Sequence, residues 1–200
     1  MGHAMSSIAL NTRQEVERLK AELEELRREN ERLAGLAYRD ALTGLRNRRL
    51  FTERLCEEVS RLQRGRKAGL SVVCVDVNDF KQVNDARGHA AGDAALVAVG
   101  QYLESLTRSC DVVCRVGGDE FAILLPDSDA TQSQRIVNRI RESLSTLETA
   151  GLGSEPLAMG MATFQEGDDE RCLLARADDE MYADKRRAHG SQSGVYASAA

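Results

Sequence analysis

From residue 48 onward the apolar positions switch repeatedly between helical and extended spacing. Phe51, Leu55, Val59 and Leu62 share one helical face, which predicts an amphipathic helix from Arg48 to Leu62. Leu70-Ser-Val-Val-Cys-Val-Asp-Val77 is nearly all apolar and rich in Val, as a strand buried on both faces would be. A loop or short helix follows through Gly92, then a helix from Asp93 to Leu106 with Leu96, Val99, Leu103 and Leu106 inward. Two apolar runs flank Gly117-Gly118 and predict a hairpin with a two-residue turn at positive φ. Asp129 followed by Gln132 marks the start of a helix running to about Leu147. Leu157 to Ala162 is a further strand, and Glu170 to about Ala188 the last helix. Strands interleaved with helices and one central hairpin indicate an α+β fold, with helices around a mixed sheet.

Residues 11–37 have a different pattern. With Val16, Leu23, Asn30 and Ala37 at heptad position a, Leu19, Leu26 and Leu33 fall at d. Leu at d and an Asn at one a position suit a parallel, two-stranded coiled coil, the Asn fixing register at some cost in stability. Glu15 then faces Lys20 of a second copy, and Glu22 faces Arg27. A single amphipathic helix packed on its own domain is the other reading. Residues 1–14 hold one Arg and no Lys, which argues against a basic zipper that binds DNA. The expected layout is a cloning remnant or disordered start at 1–10, a coil at 11–37, a globular domain at 38–190 and a flexible tail at 191–200.

Composition narrows the classes. A net charge of −5 argues against a nucleic-acid partner. No stretch approaches the roughly 20 apolar residues of a membrane span, and the start lacks the apolar core of a secretion signal. The five cysteines form no CxxC pair and are expected as reduced, mostly buried thiols of a cytoplasmic protein.

Two acidic positions stand out. Asp119 and Glu120 follow bare glycine backbone at the hairpin tip, where carboxylates and unobstructed N–H groups can hold a divalent cation and a phosphate. An ordinary solvent-exposed tip has the same pattern. Asp76 is the one acid of the Leu70–Val77 strand, and a buried carboxylate needs a counter-charge or a metal. With the strand beside the hairpin, Asp76 and Asp119 would share one metal site, the layout of two-metal phosphoryl chemistry.

Four stretches together resemble one family. Gly117-Gly-Asp-Glu-Phe121 is the signature of the GGDEF domain, the diguanylate cyclase domain of bacteria. The segment Asp76 to Asp93 resembles that family's second motif, Asp40-Ala-Leu-Thr-Gly-Leu-Arg-Asn-Arg-Arg49 its opening motif, and Ala177-Asp-Asp-Glu-Met-Tyr-Ala-Asp-Lys185 its closing helix. They occur in the family's order over roughly residues 38 to 190.

The resemblance implies a palm-like fold of the nucleotide cyclase and polymerase type. It implies condensation of two GTP into cyclic di-GMP across a dimer, with pyrophosphate released. Catalysis would fall to Asp119, Glu120 and Asp76. Mg²⁺, with Mn²⁺ as an alternative, would be held by Asp76, the Val77 carbonyl and Asp119. GTP phosphates would meet Phe80, Lys81, Gly117, Gly118 and Lys185; guanine would meet Asn84 and Asp93, a pair that favours GTP over ATP. The plainer reading of Asp93 is a helix N-cap, a role it could fill in addition. Arg108 and Asp111 match the family's product-inhibition site for cyclic di-GMP, or form a surface ion pair. His189 stands where the family carries Arg. That departure opens the alternative of a weak or inactive receptor for cyclic di-GMP or GTP. The implied assembly is a homodimer through the coil, with a tetramer as the larger alternative.

Overall fold

The computed structural model describes residues 15–29, 35, 37–65 and 68–195, with side chains to residue 188. The chain divides into two units, Met1–Arg39 and Asp40–Ala200.

In the first unit, residues 15–29 form a helix, α1. Val16, Leu19, Leu23 and Leu26 are all exposed on it. Among the described residues its ion pairs are local, Arg18 to Glu15 at 3.9 Å, Lys20 to Glu17 at 3.0 Å and Arg28 to Glu24 at 3.6 Å, and such exposed pairs add little stability. Asn30 and Leu33 lie outside the described residues.

The second unit is a five-stranded sheet with helices on both faces. Its elements in order are β1 (Arg46–Asn47), α2 (Arg48–Gln63), β2 (Leu70–Val77), α3 (Phe80–Arg87), α4 (His89–Ser105), β3 (Val112–Arg115), β4 (Glu120–Pro126), α5 (Ala130–Glu142), a 3₁₀ segment (Leu144–Ala150), β5 (Leu157–Thr163) and α6 (Glu170–Val195). The strand order is β1-β3-β4-β2-β5. Only β1–β3 is parallel; β3–β4, β4–β2 and β2–β5 are antiparallel. This is the mixed sheet of a palm-like fold.

Every residue of β2 is buried, because the strand is central and covered on both sides. Its side chains alternate between two cores. Val73, Val75 and Val77 pack with Leu96, Val99 and Leu103 of α4 and Ile136 and Ile140 of α5. Leu70, Val72 and Cys74 pack with Phe51, Leu55 and Val59 of α2 and Leu173 and Ala177 of α6.

Several expectations need correction. α4 begins at His89, not Asp93, because Gly88, at φ +82, turns the chain sharply between two helices. Asp93 therefore sits inside α4 and caps nothing. The helix after Asp129 has the expected capping box but ends at Glu142, where a 3₁₀ segment takes over. Only Cys74 and Cys114 are buried; Cys56, Cys110 and Cys172 are exposed, since their positions fall on outer helix faces and a loop. Burial raises both buried thiols, Cys114 to about 12, so they are unreactive packing groups.

Candidate active site

The hairpin differs from the predicted two-residue turn. β3 ends at Arg115 and β4 starts at Glu120, and neither Gly117 nor Gly118 has positive φ. Space, not φ, distinguishes the two glycines. A Cβ on Gly117 would lie 2.3 Å from Oε2 of Glu120, whereas one on Gly118 would meet nothing within 4 Å. Gly117 thus admits the Glu120 side chain, and Gly118 leaves open room at the tip. The Val116 and Gly117 N–H groups both donate to the Glu120 carbonyl, at 2.9 and 3.2 Å.

Arg115 ties this loop down. Its Nε and a terminal nitrogen donate to the Gly118 carbonyl, at 3.1 and 2.7 Å. Another of its nitrogens meets Oδ1 of Asp40 at 3.0 Å. Asp40 also accepts from the Thr43 N–H and hydroxyl, at 2.8 and 2.7 Å. Burial pushes the Asp40 carboxyl up, but the Thr43 and Arg115 bonds outweigh it and hold it below the ordinary value. The opening motif therefore braces the hairpin, a role its position in the sequence did not reveal.

The β2–β4 register sets Asp76 directly opposite Glu120. Asp119 comes alongside through its backbone, its carbonyl accepting from the Val77 N–H at 3.1 Å. The partner facing Asp76 across the ladder is thus Glu120, with Asp119 one step beyond. Asp76 and Glu120 thus pair where β2 ends, and Asp119 joins that end through its carbonyl.

Lys185 reaches this pair from α6. Its Nζ lies 2.5 Å from Oδ1 of Asp76, and the Asp76 side chain is only 10% exposed. The reach depends on how closely α6 approaches the sheet. A Cβ on Gly160 of β5 would lie 2.1 Å from the Met181 nitrogen and 2.2 Å from the Ala177 carbonyl oxygen. Only glycine lets the helix backbone rest there. Asp184 accepts from the Met159 N–H at 2.9 Å, and Glu180 from the Met161 N–H at 3.1 Å. These bonds set α6 along the outer edge of β5 and satisfy edge groups that would otherwise invite another strand.

The chain after β2 forms the expected turn. Asp79 takes a left-handed conformation, φ 54, and α3 begins at Phe80. Helix geometry leaves first-turn N–H groups, those of Phe80 and Lys81, without intrahelical partners. The Asn78 N–H is engaged by the Pro156 carbonyl at 2.9 Å, and its side-chain amide donates to the Glu155 carbonyl at 2.9 Å. Oδ1 of Asn78 is buried with no hydrogen-bond partner. The Phe80 ring packs against the α4–α5 core, so Phe80 offers a ligand its backbone; Lys81 is exposed.

Asn84 and Asp93 come from neighbouring helices. A Cβ on Gly92 would lie 2.1 Å from Oδ1 of Asn84. The amide therefore rests on bare α4 backbone, one residue from the exposed Asp93. An amide and a carboxylate together supply donor and acceptors.

The Arg108–Asp111 stretch is a turn rather than a side-chain ion pair. The Asp111 carboxylate accepts the Arg108 backbone N–H at 2.8 Å, and the Asp111 N–H returns to the Arg108 carbonyl at 3.0 Å. Arg108 is exposed. The side chain of His189 lies outside those described.

The donor set suits a hard divalent cation. It offers carboxylate oxygens and peptide carbonyls at a strand end, and Mg²⁺ takes one or two carboxylates plus substrate phosphates. Among the described residues no group of three or more His, Cys, Asp or Glu side chains is placed to hold a metal ion. Among the described residues no helix is long and apolar enough to cross a membrane.

Comparisons with known proteins identify the family. Residues 37–191 match the family model described as "Diguanylate cyclase, GGDEF domain". Diguanylate cyclase TpbB of Pseudomonas aeruginosa is 38% identical over 183 residues, covering 89% of this chain and 41% of TpbB. Response regulator PleD of Caulobacter vibrioides is 39% identical over 156 residues, covering 75% of this chain and 34% of PleD. The chain thus spans well under half the length of these relatives. The coiled coil and GGDEF domain of DgcB from Caulobacter crescentus, solved with c-di-GMP, superposes with TM-score 0.74 at 27% identity, covering 84% of this chain and 90% of that one. Diguanylate cyclase SiaD of Pseudomonas aeruginosa, solved with its activator SiaC, gives TM-score 0.72 at 33% identity, covering 89% and 70%.

Proposed function

The chain belongs to the GGDEF family of diguanylate cyclase domains, and on that premise we propose that it condenses two GTP into cyclic di-GMP and pyrophosphate. The observation that carries the reading is the acid pair at the end of β2. Asp76 faces Glu120 across the ladder, and Asp119 is tied to Val77 beside it. A structural hairpin has no use for a buried acid set opposite a second acid and balanced by a lysine from another layer.

In this reading Asp76, Glu120, Asp119 and the Val77 carbonyl supply oxygen ligands to Mg²⁺ or Mn²⁺. The metal, when bound, polarises the α-phosphate and lowers the pKa of the attacking 3′-hydroxyl. Asp119 accepts the hydroxyl proton. The first turn of α3, with Lys81, receives the phosphates, and Lys185 meets the same anion from α6. Gly118 leaves room for the nucleotide over the hairpin. Asn84 and Asp93 read guanine; adenine would leave their acceptors unpaired.

Each domain supplies half of a reaction centre. Two domains facing each other bring each 3′-hydroxyl to the other's α-phosphate, and a coil through residues 11–37 raises their effective concentration. The domain of residues 38–190 carries the chemistry. The exposed leucines of α1 support a homodimer, and a tetramer is the next closed assembly. Arg108 and Asp111 bind product as a brake: the guanidinium can bond guanine O6 and N7 together. The second reading, a receptor that binds cyclic di-GMP or GTP without turnover, has only His189 in its favour.

Incubation of the whole chain with GTP and Mg²⁺, with nucleotides resolved by chromatography, tests the proposal. Cyclic di-GMP from the parent and none from Asp119→Ala supports it. A folded, dimeric parent that makes none overturns it in favour of the receptor.

A further inference from the structure

We infer that Lys185 is the resident counter-cation of Asp76, and yields that carboxylate to a divalent metal only when a polyphosphate arrives to take the ammonium. The inference rests on the nucleotide-binding reading above but deepens it.

Asp76 lies in a strand whose residues are all buried, and its own side chain is 10% exposed. Glu120, directly across the ladder, adds a second negative charge. An uncompensated carboxylate there is costly. The Lys185 ammonium, 2.5 Å from Oδ1, is the compensation. It comes from a helix whose position is set independently, by the close approach at Gly160 and by the Asp184 and Glu180 bonds to β5. The ammonium therefore sits on Asp76 as part of the folded architecture.

A divalent cation on the same carboxylate would stand beside that ammonium and be repelled by it. The two cations compete for one anion. The competition is relieved when the lysine stem, 34% exposed and flexible, swings to a new anion. A triphosphate brought in at the first turn of α3 is such an anion. Metal and nucleotide then bind with positive coupling, and the free site neither loads metal idly nor leaves a bare buried charge. Coupling of this kind is typically 5- to 150-fold.

The test uses Mn²⁺ alone as probe, with free ion counted by electron paramagnetic resonance in the absence of nucleotide. Lys185→Met is expected to bind Mn²⁺ about tenfold more tightly than the parent, while a non-hydrolysable GTP analogue added with Mg²⁺ binds it more weakly. Lys185→Arg retains the positive charge and should hold Mn²⁺ as poorly as the parent; adding Asp76→Asn to Lys185→Met removes the gain. Lys185→Gln replaces the methionine variant if that one does not fold. Unchanged Mn²⁺ affinity in a folded Lys185→Met or Lys185→Gln protein assigns the lysine to phosphate alone and overturns the inference. Weakening of both ligands assigns it to structure and overturns it equally. Neither readout involves turnover, so an inactive cyclase and a wrong role for Lys185 are told apart.

Discussion

Gly117 and Gly118 show how two identical neighbours differ once the chain is folded. A methyl on Gly117 collides with Glu120, and a methyl on Gly118 points into open space. Gly117→Ala is therefore expected to displace Glu120 and lower cyclic di-GMP formation about 100-fold, as misplacement of a reacting group by an ångström does. Gly118→Ala should melt at the parent temperature, so any loss of turnover in it measures contact with nucleotide. Asp40 makes the second residue-scale prediction. Its folded carboxyl titrates below its ordinary value, because the Thr43 and Arg115 bonds outweigh burial. Its contribution to stability is complete above the unfolded carboxylate range and is lost as pH falls through the lower, folded value. Melting followed from pH 7 downward should show a shallower acid limb in Asp40→Asn than in the parent.

α6 is the element on which the site depends most. Its apolar face fills the core with Leu173 and Ala177, its acids Asp184 and Glu180 bond the backbone of an edge strand, and its Lys185 reaches Asp76. Arg176 and Arg141 complete the set by donating to the Thr163 and Met159 carbonyls, at 3.0 and 3.3 Å. Gly160→Ala would force a methyl into the Ala177–Met181 backbone. The expected cost is about 1–3 kcal/mol in denaturant unfolding, the range for overpacking. Nucleotide affinity should fall with it, because Lys185 moves with the helix. Asp184→Ala leaves the Met159 N–H and Arg141 without their shared partner and should cost about 1 kcal/mol. A Gly160→Ala protein with unaltered stability would show that α6 can retreat freely.

At the scale of the whole molecule the question is assembly. α1 exposes Val16, Leu19, Leu23 and Leu26, and a helix with such a stripe gains stability by pairing. Leu19→Asp with Leu26→Asp is expected to give a monomer in analytical ultracentrifugation. Cyclic di-GMP formation should then become second order in protein and drop at least about tenfold in dilute solution, since the linked partner is lost. A monomer with the parent's turnover would remove the coil from the mechanism.

The sequence alone determined whatever depends on local period and residue type. Valine-rich β2, the Phe51–Leu55–Val59 face of α2 and the Asp129 capping box were all legible, because each is a neighbour relation along the chain. The motif order also marked Asp76, Asp119, Glu120 and Lys185 as candidate site residues. Tertiary structure decided which of them touch. The antiparallel register placed Glu120 opposite Asp76 and brought Asp119 in through its carbonyl; a one-residue shift would have exchanged those roles. The reason for Gly117, the brace from Asp40 to Arg115 and the seat of α6 on Gly160 join residues far apart in the chain. No local pattern encodes such contacts. They follow from how close two backbones can come when the sheet and its helices pack.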